Sequence, residues 1–208
     1  MRYGRITVGE SVTQFKNCPL ICRLLNDQVG ATQLNTTLTS AELAVISEIE
    51  TTSSLLRLVT RLTGLRFAAI AKVTESSWTA CAVYDEINFG LEAGHELKLE
   101  NTFCNELRLN HQPIVINEVA TDPVYADHAI PKMFKFQSYF SLPIIFPTGD
   151  FFGTLCGLDL MPKKLDDEQL LDTLKVFCTL IANTLYAHQQ LTMLQAQMGD
   201  LQPEQTNA

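Results

Sequence analysis

The sequence lacks any apolar run near the ~20 residues that a membrane-spanning helix requires, so no membrane partner is expected. It is also poor in positive charge. Fifteen lysines and arginines stand against 23 aspartates and glutamates, for a net charge of −8. Nucleic acid and anionic membrane surfaces are held by basic faces, and the balance argues against both as main partners. The opening residues, MRYGRITVGESVTQF, contain two arginines but no apolar block of about 7–15 residues behind them, so they do not read as a secretory leader. A cytoplasmic location is the expectation.

Metal-ligand spacing is missing too. Cys18 and Cys22 form a C-x3-C around Pro19, but no second Cys or His pair stands nearby at ligand spacing, and no metal site is expected. A chain of this size with its own core needs no disulfide scaffold. Cys81, Cys156 and Cys178 sit in apolar patterns and read as small buried hydrophobes. His95 and His111 belong to loops, His188 to the exposed part of the last helix, and no Ser–His–Asp constellation follows from spacing. The chain carries no kinase, cyclase or DNA-binding signature.

What is present is material for a core: 46% of residues are hydrophobic and 18% charged, which points to one folded domain with extensions. Residues 1–38 read as a poorly defined extension, with a Cys18–Leu25 stretch that suits a short helix. The domain spans 39–186, and residues 187–208 continue the last helix into a polar tail. Thr39 and Glu42 form a capping box, followed by Leu43, Ile46, Ile49, Leu56 and Leu62 at helical spacing, with Gly64 as the stop. Leu65–Val73 alternates, placing Leu65, Phe67, Ala69, Ala71 and Val73 on one face. Glu75-Ser76-Ser77 turns the chain into a second strand, Trp78–Tyr84. Ile87–Lys98 reads as a loop leading into an extended piece. A short helix over Thr102–Leu109 is expected, capped by Asn101 or Thr102. The strand Ile114–Ile116 follows, and then a loop, Asn117–Phe136, holding one helical turn.

The most informative stretch is SYFSLPIIFPTGDFFGTLCGLDLMPKKL, residues 138–165. Phe140, Leu142, Ile144 and Phe146 fall on one side of an extended chain, with Tyr139, Ser141 and Pro143 on the other. Pro147-Thr148-Gly149-Asp150 supplies a tight turn, and Phe151–Leu158 returns as the partner strand. Pro143 has no N–H, so a bulge or an unpaired edge is expected there. Gly153 and Gly157 leave room for close packing, and Asp159 is placed to cap the loop beyond. A long helix starts near Asp166. Leu180, Thr184, Ala187, Leu191, Leu194, Met198 and Leu201 recur along it in four-three spacing, a seam that predicts a homodimer.

Three places make the element order resemble one family. Thr102-Phe103-Cys104 is similar to the "TFC" start of the short helix in GAF domains attached to bacterial sensor kinases and cyclases. Pro113–Asp122, PIVINEVATD, resembles that family's strand and acidic loop. Ser138-Tyr139, Leu142-Pro143-Ile144, Gly149 and Gly153-Thr154-Leu155-Cys156 before Leu158-Asp159 resemble its "SYxGxPI…G…GTLCxxD" signature, with Ser141 where the family has Gly. The likeness covers about Thr39–Tyr186. It implies an α+β fold: a six-stranded, mainly antiparallel sheet with the terminal helices on one face and short helices and loops enclosing a pocket on the other.

In that family the pocket holds cyclic nucleotides, tetrapyrroles, small metabolites or nothing, and the flanking helices relay its state to an output domain or a separate output protein. The resemblance places Trp78, Phe103, Cys104, Tyr125, His128, Phe134, Phe136, Tyr139 and Ser141 around the pocket. It names no cofactor. Bilin-binding relatives carry a Cys directly before a His; Asp127-His128 stands here, without the thiol. The Asn-Lys-Phe-Asp-Glu set of cyclic-nucleotide relatives is not found. Three readings follow: a non-enzymatic sensory module dimeric through its terminal helices, a free methionine sulfoxide reductase resting on Cys104, and a dimerisation module with a filled core. The first is favoured, because a reductase needs an exposed thiolate and a resolving partner.

Overall fold

A computed structural model describes residues 50–200. The first described helix, α1, spans Glu50–Thr63; Thr39, Glu42, Leu43, Ile46 and Ile49 lie outside the described residues. Leu56, Val59 and Thr63 share its sheet-facing stripe and are buried. Leu62 does not join them. It is 46% exposed, because a step of six residues from Leu56 rotates it off that stripe. Gly64, at φ +69°, ends the helix in the left-handed region as the sequence predicts.

The strands are β1 (Phe67–Val73), β2 (Ser77–Asp85), β3 (Glu96–Lys98), β4 (Ile114–Ile116), β5 (Ser138–Ile145) and β6 (Phe151–Asp159). They form one sheet of six strands in the order β3-β2-β1-β6-β5-β4, and every neighbouring pair is antiparallel. Between them lie α2 (Cys104–Asn110) and α3 (Ala129–Phe134), and the chain ends in α4 (Glu168–Asp200). The α+β architecture matches the expectation.

β1 is covered on both faces. Phe67, Ala69, Ala71 and Val73 pack into the core beneath α2 and α3. Ala68 and Ile70 pack under α1 and α4. Leu65, expected beside Phe67, joins the helix-side core instead, because it precedes the strand and so escapes its alternation. In β5 the alternation holds as read: Phe140, Leu142 and Ile144 face the long helices, and Tyr139 faces the other core. At Pro143 the unpaired edge occurs, while the irregularity in the ladder lies just beyond it. β4 pairs only as far as Ser141, so the outer edge beyond it has no ladder partner among the described residues, and the β5–β6 register shifts between Ile144 and Ile145.

Two glycines permit the central pairing. A Cβ on Gly153 would stand 1.9 Å from the Ala71 carbonyl oxygen of β1. One on Gly157 would meet the Phe140 ring at 2.6 Å. The room these glycines leave is therefore taken by the neighbouring strand and the core itself.

The ends of β1 and β6 are locked by an ion pair that the sequence does not disclose. Arg66 donates from Nε to Asp159 Oδ2 at 2.9 Å and from an Nη to Oδ1 at 2.6 Å. Asp159 is fully buried and also accepts from the Met161 N–H at 2.9 Å, which is its expected loop cap. Burial raises this carboxyl, but the hydrogen bonds from Arg66 and Met161 outweigh it and hold the group below the usual carboxylate range. Asn117 ties the chain between β6 and α4, accepting from the Leu165 N–H at 2.7 Å and the Lys163 N–H at 3.0 Å.

Two predictions follow from these contacts. Gly153→Ala should lower stability by about 3 kcal/mol or more, since backbone rather than a flexible side chain opposes the new methyl; urea unfolding measures it. The Asp159 pair contributes stability that is complete above the unfolded carboxyl's pKa of about 3.9 and is lost as pH falls through its lower folded pKa. In Arg66→Ala only the Met161 hydrogen bond and the charge of Lys163 remain to oppose burial of the carboxyl, so acid unfolding followed by circular dichroism should move to higher pH. An unmoved midpoint would refute the pairing.

Candidate functional site

On the face of the sheet away from α1 and α4, α2 and α3 cover an aromatic core. Phe103, immediately before α2 and 1% exposed, is its hub: its ring centroid lies 4.9 Å from both Tyr125 and His128, 5.3 Å from Tyr139 and 6.2 Å from Phe136. Phe89 links Phe67 at 5.2 Å to Phe134 at 5.7 Å. Such edge and offset ring contacts are favourable and rigid. The helix starts two residues later than expected, and neither Asn101 nor Thr102 caps it. Phe103 is the N-cap residue and makes no side-chain cap, while the Thr102 hydroxyl donates back to the Leu99 carbonyl at 2.9 Å.

A cavity of about 50 Å³ remains among these rings. Of the residues named from the resemblance, Trp78, Phe103, Cys104, Phe134, Phe136 and Tyr139 line it. Tyr125 and His128 pack against Phe103 without lining it, and Ser141 is fully buried beside Cys104. Phe67, Phe89, Leu91, Leu97, Ile130, Cys156 and Leu158, with the polar Asn101 and Thr102, complete the wall. Cys156 was legible from the hairpin, where it lies opposite Ser141, whereas Phe67 lies on a strand that carries no pocket residue named from the sequence. Phe89 and Leu91 come from a loop with no period to betray them. An apolar cavity that takes benzene measures about 150 Å³, so this conformation is occupied chiefly by the protein's own side chains.

Beneath the cavity lies a polar cluster. Cys104 Sγ is 3.3 Å from Thr154 Oγ1, 3.8 Å from the Tyr139 hydroxyl and 3.9 Å from Ser141 Oγ. Cys104 is 1% exposed and Thr154 and Ser141 are fully buried. Burial pushes the Cys156 thiol well up, reinforced by neighbouring Cys104, and raises the Tyr139 phenol likewise. On the helix side, burial drives the Cys178 thiol up to about 12. The Cys156 and Cys178 thiols are packing groups held in their protonated form. No cluster of three metal-ligating side chains occurs among the described residues.

His128 is held in place rather than free in a loop. Its Nδ1 accepts from the Ile130 N–H at 3.2 Å and caps α3, while Nε2 lies 3.8 Å from Glu106 Oε1 on α2. Burial, with the charges of Glu106 and Asp122, raises the Tyr125 phenol above its ordinary value. Asp127, one residue before His128, pairs with Lys132 at 2.9 Å.

The other candidate surface is α4. At about 100° per residue, two apolar stripes fall on opposite sides of it. Leu174, Cys178, Ile181 and Ala182 are buried against the sheet. Val176, Leu180, Leu191 and Leu194 are 53–57% exposed, and Thr184 and Ala187 are exposed with them. The side chain of Met198 and residue Leu201 lie outside the described residues. The Tyr186 ring still reaches Phe146, at 5.8 Å. From Ala187 onward the described side chains are exposed apart from half-buried His188. By length and composition alone Glu168–Gln195 could cross a membrane, at mean hydropathy 1.2, and 22% of that window is buried in the fold.

Comparison with known proteins gives one consistent picture. The family model for the GAF domain matches residues 47–185. No curated protein matches the sequence. Among solved structures, the GAF domain region of a Geobacter sulfurreducens PCA protein is similar at TM-score 0.56 and 18% identity, over 71% of this chain and 96% of that one. The blue-light absorbing form of the Thermosynechococcus elongatus PixJ GAF domain has TM-score 0.57 at 12% identity, over 79% and 96%. The type II free methionine-R-sulfoxide reductase of Thermoplasma acidophilum has TM-score 0.53 at 13% identity, over 72% and 97%. Likeness at these identities speaks for the fold, on which relatives place different activities. With a family model matched across most of the chain and a sheet of the same architecture, the chain belongs to the GAF domain family.

Proposed function

We propose that this GAF domain is a non-enzymatic sensory or regulatory module that works as a homodimer through α4. The observation that carries the reading is the outer stripe of α4. A core explanation does not account for it, because the sheet is already covered by the opposite face of the same helix. Past Tyr186 the inner stripe turns polar, at His188, Thr192 and Gln195, while the outer stripe stays apolar at Leu191 and Leu194. A helical overhang of this length without tertiary contacts is marginal in water. A second copy supplies the missing contacts, with the four-three spacing of a left-handed helix pair.

In this reading the aromatic core is the sensing layer. A small molecule acts by preferring one arrangement of α3 and the Phe103 cluster, and it signals only as far as that preference changes the packing of α1 and α4 or of the dimer. A separate output protein would read that change. The reductase alternative is disfavoured by burial: Cys104 is enclosed by three hydroxyls, far from the exposed thiolate such chemistry needs.

Light scattering should find the full chain dimeric at micromolar concentration and Leu191→Glu/Leu194→Glu monomeric with an unchanged near-ultraviolet spectrum. A monomeric parent would defeat the dimer reading. With free methionine sulfoxide and dithiothreitol, neither the parent nor Cys104→Ala should turn over; thiol-dependent turnover lost in the variant would establish the enzyme instead.

A further inference from the structure

The chain is 18% charged, yet no Asp, Glu, Lys, Arg or His stands among the described residues that line the aromatic cavity. Its wall is aromatic and aliphatic, with the thiols of Cys104 and Cys156 and three polar side chains, Asn101, Thr102 and Tyr139. Two of those three are engaged within the fold. The Thr102 hydroxyl donates to the Leu99 carbonyl at 2.9 Å, and the Tyr139 hydroxyl lies 3.8 Å from Cys104 Sγ. The ion pairs of this layer stay outside: neither His128 with Glu106 nor Lys132 with Asp127 lines the cavity.

These features decide which molecules can enter. A phosphate or carboxylate would leave water for a wall with no counter-charge, which an apolar environment penalises heavily. The wall's own groups feel the same penalty. Burial pushes the Cys156 thiol and the Tyr139 phenol well above their ordinary values, so both stay neutral. Water is a poor occupant too, since it needs two to four polar partners and apolar cavities stay dry. An apolar molecule gives up no hydrogen bonds by entering and gains dispersion contacts with the lining rings. Size sets the second limit. The free space is about 50 Å³, against about 150 Å³ for a cavity that takes benzene.

We propose that this cavity is a site for an uncharged, apolar molecule of a few heavy atoms, smaller than benzene. The inference rests on the sensory reading of the aromatic core and names the chemical class that the core senses. It sets such a ligand apart from the phosphate- or carboxylate-bearing molecules that a charged wall would hold.

The chain's single tryptophan, Trp78, lines the cavity and is 3% exposed, so its fluorescence reports an occupant directly. The probes are xenon under pressure, benzene and sodium benzoate, applied to the full chain as parent, Leu91→Phe and Phe134→Ala. Xenon should quench Trp78 in the parent along a saturating curve and raise the melting midpoint by a few degrees. Leu91→Phe turns a larger side chain into the free space from a loop and should lose both effects. Phe134, the half-buried last residue of α3, also lines the cavity, and its truncation to alanine removes a phenyl group from the wall. Phe134→Ala should therefore gain a rise in midpoint with benzene and none with benzoate, and it carries the test if Leu91→Phe fails to fold. The proposal is overturned if xenon has no saturating effect on the parent, or if that effect persists in folded Leu91→Phe. It is overturned as well if Phe134→Ala ignores benzene or responds to benzoate as strongly. Xenon binding that leaves the dimer and hydrogen exchange along α4 unchanged would count against the sensory reading and leave this site in place. A dimer that binds no xenon would overturn this site and leave the dimer in place.

Discussion

The pairing of β1 with β6 is the contact on which the rest of the structure depends. The two strands are far apart in sequence, yet Phe67 lies opposite Leu158 and Lys72 opposite Gly153. Closing so long a loop costs entropy before any contact repays it. The return comes from two features at the seam. Gly153 lets the strands approach where any side chain would strike the Ala71 carbonyl, and the Arg66 fork on buried Asp159 fixes the end of the ladder across 93 residues. Once this pair forms, α1, which leads into β1, and α4, which follows β6, must lie over the centre of one sheet face.

That placement divides the labour between the two faces. The helix face is packed with aliphatic side chains from β5 and β6, notably Leu142, Ile144 and Leu155. The opposite face is aromatic and carries polar groups within it, with Cys104, Tyr139, Ser141 and Thr154 in contact beneath Phe103. Satisfied polar clusters of this kind specify one arrangement rather than adding much net stability. The two layers share one sheet, whose central strands β1, β6 and β5 contribute alternate residues to both.

Much of this was legible in the sequence, and the reasons are specific. The β5–β6 hairpin could be read to within a residue at its ends, because period-two alternation, a Pro-Thr-Gly-Asp turn and two glycines all point to the same geometry. β4 was legible from three β-branched residues after a proline. The exposure of Leu62 was not, because helical spacing marks a stripe only when the partner's position is known. The Arg66–Asp159 pair was invisible for another reason: no local pattern links residues on strands that meet only in the fold. The same holds for the wall at Phe89 and Leu91, which reach the cavity from a loop. The seam on α4 was readable as a period, but only the structure separates it from the inner stripe of the same helix.

Hydrogen–deuterium exchange over residues 187–200, measured in the full chain at high and low protein concentration, tests the central claim most directly. A helix with no tertiary partner opens readily, whereas one held by a second copy opens only as the dimer dissociates. The account predicts slow exchange at high concentration that accelerates on dilution, with the β1 and β6 amides unchanged. Fast exchange at every concentration, or protection indifferent to dilution, would contradict it.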